Sequence, residues 1–364
     1  MSVVRFDQIA RECRETFKGS FEGKPIVGLE HIEPYDMLLK NYDVDVETTF
    51  TKSFKKGQIL FGRRRAYQHK ACVATIDGIC SGDITVIEPI EGKVYPDLLP
   101  FIIQNDDFFE HAIKGSNGAL SPRVKWEHMA NFEFDLPPLA EQKVLAEKLW
   151  AAYEVKQSYL KMIAATEEMV KSQFIEMFGD PIKNSKSLPQ KILSEVLTLL
   201  NGRAYKAPEL LPEGKYLVLR VGNFFSNTEY YYSNLELEPD KYCDTGDLLY
   251  TWSTSLGAQI WNGGKVIYHY HIWKILFNED LYNKDYLCYL LNVMTDSLKK
   301  ETHGSTMVHL TKEGMEKKSI IVPPMDLQKQ FSAIANQSDK SISELRKSVD
   351  AIDKVIKSLI NENL

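Results

Sequence analysis

The 364-residue sequence lacks several features that would assign it to common functional classes. It has no apolar run of about 18 residues, as a membrane-spanning helix needs, and its N-terminus lacks the apolar core of a signal peptide. Its five cysteines form no Cys-x-x-Cys pair, which argues against a zinc ribbon or a disulfide framework. No Gly-x-Gly-x-x-Gly loop follows a predicted strand, so no nucleotide or S-adenosylmethionine pocket is evident. We expect a globular, cytoplasmic protein, long enough for two domains.

Positive charge is also scarce, with a formal net charge of −6. This argues mildly against a nucleic-acid partner, because phosphate contacts need Lys and Arg. The distribution weakens the objection, since residues 52–70 hold seven Lys or Arg and no acid. Residues 229–247, in contrast, hold six acids and one Lys. Such an acidic chain with a basic segment can bind DNA if other subunits add positive charge.

A proline pair occurs twice in the same sequence context. Leu136-Pro137-Pro138-Leu139-Ala140-Glu141-Gln142 is followed, at an offset of 186 (323 − 137), by Val322-Pro323-Pro324-Met325-Asp326-Leu327-Gln328. Proline suits a first helical position because it lacks the N–H that would be unpaired there. Each pair therefore predicts the start of a helix.

Apolar residues at coiled-coil spacing follow the second proline pair, which predicts a long helix with one apolar seam. These residues are Ile342, Leu345, Val349, Ile352, Ile356 and Leu359. The offset of 186 places a poorer seam in the same frame after the first pair, at Lys156, Tyr159, Ile163, Thr166, Val170 and Gln173. Two helices in equivalent register favour pairing with each other. The alternative is that each helix only covers its own domain.

The predicted fold class is α+β, with two β-rich mixed domains in pseudo-two-fold repeat and two long helices forming an antiparallel coiled coil. The predicted segments are a first domain at 1–136, a helix at 137–180, a second domain at 181–322 and a helix at 323–364. In the first domain we expect strands at 26–29, 58–61, 71–74 and 84–87, and one helix over 100–114. Gly179-Asp180-Pro181 is expected to end the first long helix.

The second half repeats the first loosely. Residues 246–250 correspond to residues 57–61 at an offset of 189, and Gly304-Ser305 corresponds to Gly115-Ser116 at the same offset. The intervening sequences have diverged. We therefore expect two similar folds with different surfaces, suited to related tasks on different targets.

A basic segment between two predicted strands is the first candidate DNA-binding site. Arg can hydrogen-bond guanine in a bidentate way and Gln can do so with adenine, while Tyr and His can stack or contact phosphate. The candidate residues are Arg63, Arg64, Arg65, Tyr67, Gln68, His69 and Lys70. The alternative interpretation is a solvated hairpin tip.

Loops of small residues, present in both halves, are the second set of candidates. Small residues let backbone N–H groups approach a phosphate, and hydroxyls can hydrogen-bond to it. The candidates are Ser116, Asn117, Ser121 and Arg123 in the first half, and Ser305 and Thr306 in the second. At the second half's equivalent of the basic segment lie Trp252, Ser253, Thr254 and Ser255, which could contact bases or form a plain β-turn. Arg203 is a further candidate.

Patterns typical of catalysis or metal binding are weak. Tyr268-His269-Tyr270-His271 places two imidazoles close together, but the sequence supplies no further ligand at suitable spacing, and alternating strand residues are the favoured interpretation. Asp83 with Glu91-Gly92-Lys93 has the letters of a nuclease core, a pattern that arises by chance. The proline pairs lack the preceding Asn or Asp of an amino-methyltransferase. No catalytic residue, metal ligand or bound cofactor is therefore assigned to this chain.

Over nearly its whole length the sequence resembles the DNA-specificity subunits of Type I restriction–modification systems. The resemblance rests on the duplicated motifs at 136–143 and 322–329, and on the segment 172–181 that closes the first helix. It also rests on 57–62 and 246–250, which are similar to the family's Gly-Asp-[Ile/Leu]-Leu strand. Leu327 departs from the pattern, since the family usually has Glu there.

The resemblance implies that each domain is a target recognition domain for one half of a bipartite double-stranded DNA site. The helices would set the spacer and dock two modification subunits, which would bind S-adenosylmethionine and methylate adenine. Restriction subunits, with ATP and Mg²⁺, would translocate and cleave DNA. Two alternatives are a self-contained methyltransferase or nuclease with an unrecognised catalytic centre, and a coiled-coil scaffold with no DNA role.

Overall fold

The chain forms two compact units, of which the first combines two segments distant in sequence and the second is one continuous segment. Our computed structural model describes residues 2–116, 122–225, 228–301 and 311–364. Unit 1 comprises Met1–Lys161 and Leu345–Leu364, and unit 2 comprises Met162–Glu344. Each unit therefore contains a globular part and a segment of both long helices.

The strands of unit 1 form two four-stranded sheets and one two-stranded sheet. The sheet orders are β2-β9-β6-β7, β4-β3-β8-β5 and β1-β10. The strands are β1 Ser2–Arg5, β2 Ala10–Cys13, β3 Pro25–Val27, β4 Asp43–Val44, β5 Lys52–Phe54, β6 Ile59–Gly62, β7 Ala71–Val73, β8 Gly78–Cys80, β9 Ile84–Pro89 and β10 Glu133–Leu136. The four strands predicted in this half are confirmed as β3, β6, β7 and β9.

Unit 2 repeats this strand topology. Its sheet orders are β12-β19-β16-β17, β14-β13-β18-β15 and β11-β20, which are those of unit 1 with ten added to each label. The strands are β11 Gln190–Ile192, β12 Leu197–Asn201, β13 Tyr216–Leu219, β14 Tyr231–Ser233, β15 Tyr242–Cys243, β16 Leu248–Thr251, β17 Gly257–Ile260, β18 Val266–Tyr268, β19 Ile272–Phe277 and β20 Ser319–Ile321. The parallel pair β3–β8 recurs as β13–β18. The predicted internal repeat is confirmed.

Two helices are much longer than the others. The helices are α1 Leu99–Gln104, α2 Asp106–Lys114, α3 Trp126–Met129, α4 Leu139–Phe178, α5 Leu193–Val196, α6 Val221–Phe225, α7 Lys284–Glu301, α8 Lys312–Glu316 and α9 Met325–Asn363. At 1.5 Å per residue, α4 is about 60 Å long. It ends at Phe178 and is followed, as predicted, by Gly179, whose φ of +71° is the left-handed conformation that favours glycine. Within the described residues, no helix has both the length and the apolar content to cross a membrane.

The prediction of one helix over residues 100–114 is wrong, because the segment divides at Asn105. This residue has extended backbone, and its side chain accepts a hydrogen bond of 3.1 Å from the Asp107 N–H. Asn is a favourable N-cap because it pairs an N–H that the first turn leaves without a partner. The apolar face predicted for the segment is nevertheless buried, at Phe101, Ile102, Phe108, Phe109 and Ala112.

The duplicated proline motif has a physical role that both copies share. Gln142 is 2% exposed and Gln328 is fully buried. The Gln142 Nε2 donates to the Pro137 carbonyl (2.7 Å), and the Gln328 Nε2 donates to the Pro323 carbonyl (2.8 Å). Each amide oxygen accepts a backbone N–H from the globular part, that of Tyr95 (2.8 Å) or that of Asn283 (2.9 Å). The buried glutamine thus joins the start of each long helix to its domain.

The predicted apolar seams coincide with the covered faces of the two long helices. All six predicted seam residues of α4 and all six of α9 are buried or half-buried. In unit 2, the Phe174 and Phe178 rings of α4 lie 5.3 and 5.7 Å from Phe331 of α9. In unit 1, Lys156 of α4 forms a 2.6 Å salt bridge with Asp353 of α9. Within each unit, a segment of α4 therefore lies against a segment of α9.

The long helices also complete the cores of the two units. Leu145, Leu149 and Tyr153 of α4 join Ile360 of α9 in the core of unit 1, next to Phe101. Val170 and Phe174 of α4 join Phe331 of α9 in the core of unit 2. Pairing of the helices and covering of the domains, which the sequence analysis treated as alternatives, therefore occur together.

We expect the Ile360→Ala substitution to destabilise unit 1 although residue 360 is far from the strands in sequence. Ile360 is 6% exposed, and truncating a buried isoleucine to alanine typically costs about 2–5 kcal/mol. Hydrogen–deuterium exchange measured by mass spectrometry should show faster amide exchange in α1 and α2 of unit 1. The exchange rate of α7, which belongs to unit 2, should not change.

The control is Val355→Ala on the same helix, because Val355 is 53% exposed and such substitutions usually change stability by less than about 0.5 kcal/mol. Equal exchange rates in the two variants would show that the end of α9 does not stabilise unit 1.

Candidate DNA-binding surfaces

The basic segment of unit 1, residues 63–70, is a structured loop between β6 and β7 that we call the arginine loop. Arg65 and His69 have φ of 56° and 51° and flank a 3₁₀ turn over Ala66–Gln68. Ala66 is buried beneath the loop, whereas Arg65 is exposed and Tyr67 is 55% exposed. The segment is therefore anchored at its centre and presents selected side chains to solvent.

Two residues of the arginine loop are engaged by the domain itself. The His69 ring lies 4.8 Å from that of Tyr35 and 4.4 Å from that of Phe109. Burial lowers the pKa of His69, which favours its neutral form. Lys70 Nζ donates to the Leu29 carbonyl at 2.6 Å. These two residues hold the loop in place. Gln68, which lies between the exposed Tyr67 and His69 in sequence, is half-buried.

The segment 115–123 is predicted as a second DNA-binding loop, and its described C-terminal end lies next to the arginine loop. The Arg65 N–H donates to the Pro122 carbonyl (2.9 Å), and the Val124 N–H donates to the Arg63 carbonyl (2.9 Å). Ser116 Oγ donates to the Ala112 carbonyl (3.2 Å) at the end of α2. Asn117 and Ser121 lie outside the described residues. The parts of the two predicted loops that are described thus lie side by side.

Asp83, which follows β8, lies between the arginine loop and Arg123. Its carboxylate accepts from Arg123 Nε at 2.7 Å and from Arg123 Nη2 at 3.4 Å, and Arg64 Nη1 lies 3.5 Å away. The hydrogen bond from Arg123 is the main cause of a lowered Asp83 pKa. Sequence reasoning considered Asp83 only with Glu91 and Lys93 as a nuclease pattern, and missed this role. Among the described residues, no group of three His, Cys, Asp or Glu side chains is placed to hold a metal.

The equivalent turn of unit 2, residues 252–255, joins β16 and β17, and we call it the tryptophan loop. The Trp252 indole N–H donates to the Tyr270 carbonyl (2.8 Å), and its ring stacks on Trp273 at 5.8 Å. Thr254 has φ of 63°, and Ser255 N–H donates to the Ser253 carbonyl (2.8 Å). Ser253 is only 2% exposed, so its side chain lies within the turn. Ser305 and Thr306 lie outside the described residues.

The prediction that Tyr268-His269-Tyr270-His271 alternate along a strand is wrong. Strand β18 ends at Tyr268 and β19 begins at Ile272, so residues 269–271 form a tight turn beside Trp252. The two histidine rings lie 4.8 Å apart. Burial, assisted by His271 and Arg220, lowers the pKa of His269 to about 4. This imidazole is therefore neutral near pH 7.

Arg203 lies next to this turn. Its N–H donates to the Tyr268 carbonyl at 3.0 Å. Its two terminal nitrogens bind Glu209 at 3.0 and 2.7 Å, and its guanidinium lies 5.2 Å from the Tyr205 ring centre. The hydrogen bond from Arg203 lowers the pKa of Glu209 to about 2. Arg203, which the sequence analysis named as a candidate without a location, thus lies beside the 269–271 turn that contacts Trp252.

The two surfaces use one backbone frame with different side chains. The Arg63 N–H donates to the Asp83 carbonyl (2.9 Å), and the Trp252 N–H, 189 residues later (252 − 63), donates to the His271 carbonyl (3.1 Å). Arginines and a carboxylate in unit 1 are replaced by tryptophan, serine and histidine in unit 2. Unit 1 therefore offers cationic hydrogen-bond donors, whereas the corresponding turns of unit 2 offer mainly aromatic rings and hydroxyls.

The sequence is similar to those of known proteins. The Type I restriction enzyme EcoDI specificity subunit of Escherichia coli is 26% identical over 153 residues, which cover 41% of this chain and 34% of that subunit. The chain thus spans about a third of the length of this relative. The putative Type I restriction enzyme MjaX specificity subunit of Methanocaldococcus jannaschii is 20% identical over 392 residues, covering 99% of this chain and 90% of the relative.

Solved structures agree on the fold. The S subunit of a Type I restriction–modification system from M. genitalium superposes with a TM-score of 0.60 at 12% identity, over 99% of this chain and 94% of that chain. A family model for the Type I restriction modification DNA specificity domain matches residues 14–158 and 190–352, once in each half. These two matches include most of the sequence, and the chain therefore belongs to the Type I restriction modification DNA specificity family.

Proposed function

We propose that the chain is the non-catalytic, sequence-specific DNA-binding subunit of a Type I restriction–modification complex. In this proposal each unit binds one half of a bipartite double-stranded target. The observation that carries the proposal is the duplicated sheet framework with chemically different loops at the equivalent position. A shared framework suits a shared substrate, and different loops suit different base sequences.

The loop chemistry supports different modes of DNA contact in the two units. Exposed arginines such as Arg65 and Arg123 are suited to phosphate and to guanine in the major groove. The tryptophan loop and the neighbouring Tyr270 offer apolar and hydroxyl contacts, which suit a thymine methyl group or a base edge without strong charge. Binding to the first half-site should therefore depend more strongly on salt than binding to the second.

We assign residues 1–136 and 181–322 as target recognition domains, and residues 137–180 and 323–364 as helices that set the spacer between the half-sites. The buried seams and the anchored helix starts support a stiff connection. Half-sites must keep their register with the helical turn of the duplex, so a stiff connection would select one spacer length.

The partners we propose are two modification subunits that dock on the helices, and restriction subunits. S-adenosylmethionine would bind to the modification subunits, and Mg²⁺ and ATP would act on partner subunits. Partner subunits would also supply positive charge for contacts with the DNA phosphates, because this chain has a net charge of −6. The expected site of action is the cytoplasm, where the DNA substrate is found.

Replacing Arg63, Arg64 and Arg65 together by alanine should weaken binding to duplexes that carry the first half-site. Each lost phosphate contact should also reduce the slope of log affinity against log salt by about 0.9. The measurement is fluorescence anisotropy with the complex of this chain and its modification subunits at several salt concentrations.

The matched control replaces Lys18, Lys24 and Lys93, three exposed cations of the same unit, and should change the slope less. Equal affinities and slopes in the wild type and the arginine variant would remove the arginine loop from the binding site.

Inserting four residues within 164–172 of α4 should lengthen the unread spacer and leave both half-sites unaltered. Four residues lengthen the helix by about 6 Å, roughly one turn, and a base pair spans about 3.4 Å, so the change is about one or two base pairs. Methylated adenines mapped across a genome give the spacer and both half-sites. As a control, replacing Thr166 and Glu167 by alanine, next to Ala164 and Ala165, keeps the length and should keep the spacer. Altered half-sites at constant spacer would contradict the proposal.

A further inference from the structure

The contact between Asp83 and Arg123 has a geometry that directs the arginine outward. Asp83 binds the Nε and Nη2 nitrogens of Arg123, which form one side of the guanidinium. The Nη1 nitrogen has no hydrogen-bond partner among the described residues. A planar guanidinium held in this way keeps one hydrogen on each terminal nitrogen pointing away from the carboxylate. Arg123 therefore retains a complete terminal fork, and its side chain is about half exposed.

A guanidinium fork of this kind matches the O6 and N7 acceptors of guanine in the major groove. The same match to phosphate oxygens carries no sequence information. An arginine without a fixed orientation can reach neighbouring phosphates and bind them regardless of sequence. A carboxylate that fixes the arginine and repels nearby phosphates favours the base contact over the phosphate contact.

Asp83 is itself fixed by the backbone of the surface. Its carbonyl accepts the Arg63 N–H at 2.9 Å, and its own N–H donates to Ser81 Oγ at 3.2 Å. Arg64 Nη1 approaches the same carboxylate at 3.5 Å, and the Arg64 and Arg123 backbones form a β-bridge. The carboxylate thus sits between the two predicted DNA-binding segments of unit 1.

The carboxylate–arginine pair of unit 2 has the opposite geometry. Glu209 binds both terminal nitrogens of Arg203 and so occupies the fork. Tyr205 lies against the guanidinium of Arg203. This pair is suited to stabilising the 203–209 turn, whereas the pair in unit 1 leaves the fork open.

We propose that Asp83 is a positioning residue that holds Arg123 for bidentate recognition of a guanine in the first half-site. The inference rests on the proposed DNA-specificity function. In this proposal Arg123 recognises guanine, and Asp83 suppresses the binding of unit 1 to unrelated DNA.

The test uses Asp83→Asn in the complex with the modification subunits, after the half-sites have been mapped from methylated adenines. Each guanine of the first half-site is replaced in turn by 7-deazaguanine, which lacks the N7 acceptor. The wild type should lose about tenfold affinity or more at one position. Asp83→Asn should lose most of this discrimination, and it should bind an unrelated duplex more tightly, with a salt slope steeper by about 0.9.

Three further variants separate positioning from general effects. Arg123→Lys keeps the charge but lacks the fork, so it should lose discrimination at the same position without a steeper salt slope. Asp83→Glu should restore part of the discrimination. Glu88→Gln is the matched control, because Glu88 binds Arg11 at the other end of β9, and it should retain wild-type discrimination.

The outcomes distinguish the inference from the proposed function. A first half-site without guanine, or equal 7-deazaguanine discrimination in the wild type and Asp83→Asn, would overturn the role of Asp83 while leaving the DNA-specificity function intact. A wild-type complex that binds all duplexes equally would instead overturn the proposed function. Loss of discrimination in Glu88→Gln to the same extent as in Asp83→Asn would also overturn the inference, because the effect would then be one of net charge.

Discussion

The architecture depends on the hydrogen bonds of one buried glutamine at the start of each long helix. Its amide nitrogen binds the carbonyl of the first proline of the pair, and its oxygen binds a backbone N–H of the globular part. A buried amide that lost either partner would carry an unpaired polar group, at a cost of about 1–3 kcal/mol. The amide therefore fixes where each helix leaves its domain, and the paired apolar seams only have to continue that direction.

Strand pairing and loop chemistry are separated in both units. The sheets keep the same order because buried side chains such as Phe61 and Tyr250 determine which strands meet. The turns between these strands contribute little to the cores, so their side chains can change without altering the pairing. One framework can in this way carry an arginine-rich surface in one unit and an aromatic surface in the other. This division explains how two halves with little remaining sequence similarity retain one topology.

Periodic and duplicated features were predictable from the sequence, and single local contacts were not. Every residue that the heptad spacing placed in a seam is buried or half-buried, and the repeated proline pair located both helix starts. The break at Asn105 was missed because one capping side chain interrupted an otherwise continuous apolar pattern. The pairing of Asp83 with Arg123 was missed because it joins residues 40 positions apart, and no periodicity connects them. Burial of Ser253 likewise follows from tertiary packing, which leaves no sign in a polar turn sequence.

Unit 1 is built from the two ends of the chain, and this affects how the protein folds during synthesis. Residues 345–364 complete its core, yet they are synthesised only after the whole of unit 2. A nascent chain folds from its N-terminus as it emerges from the ribosome. The side chains of Leu149 and Tyr153, which pack in the same core as Ile360, therefore stay without this partner during translation of more than half of the polypeptide (360 − 153 = 207 of 364 residues). This interval creates a demand for chaperones at the first domain that the second domain, whose segments are contiguous, does not share.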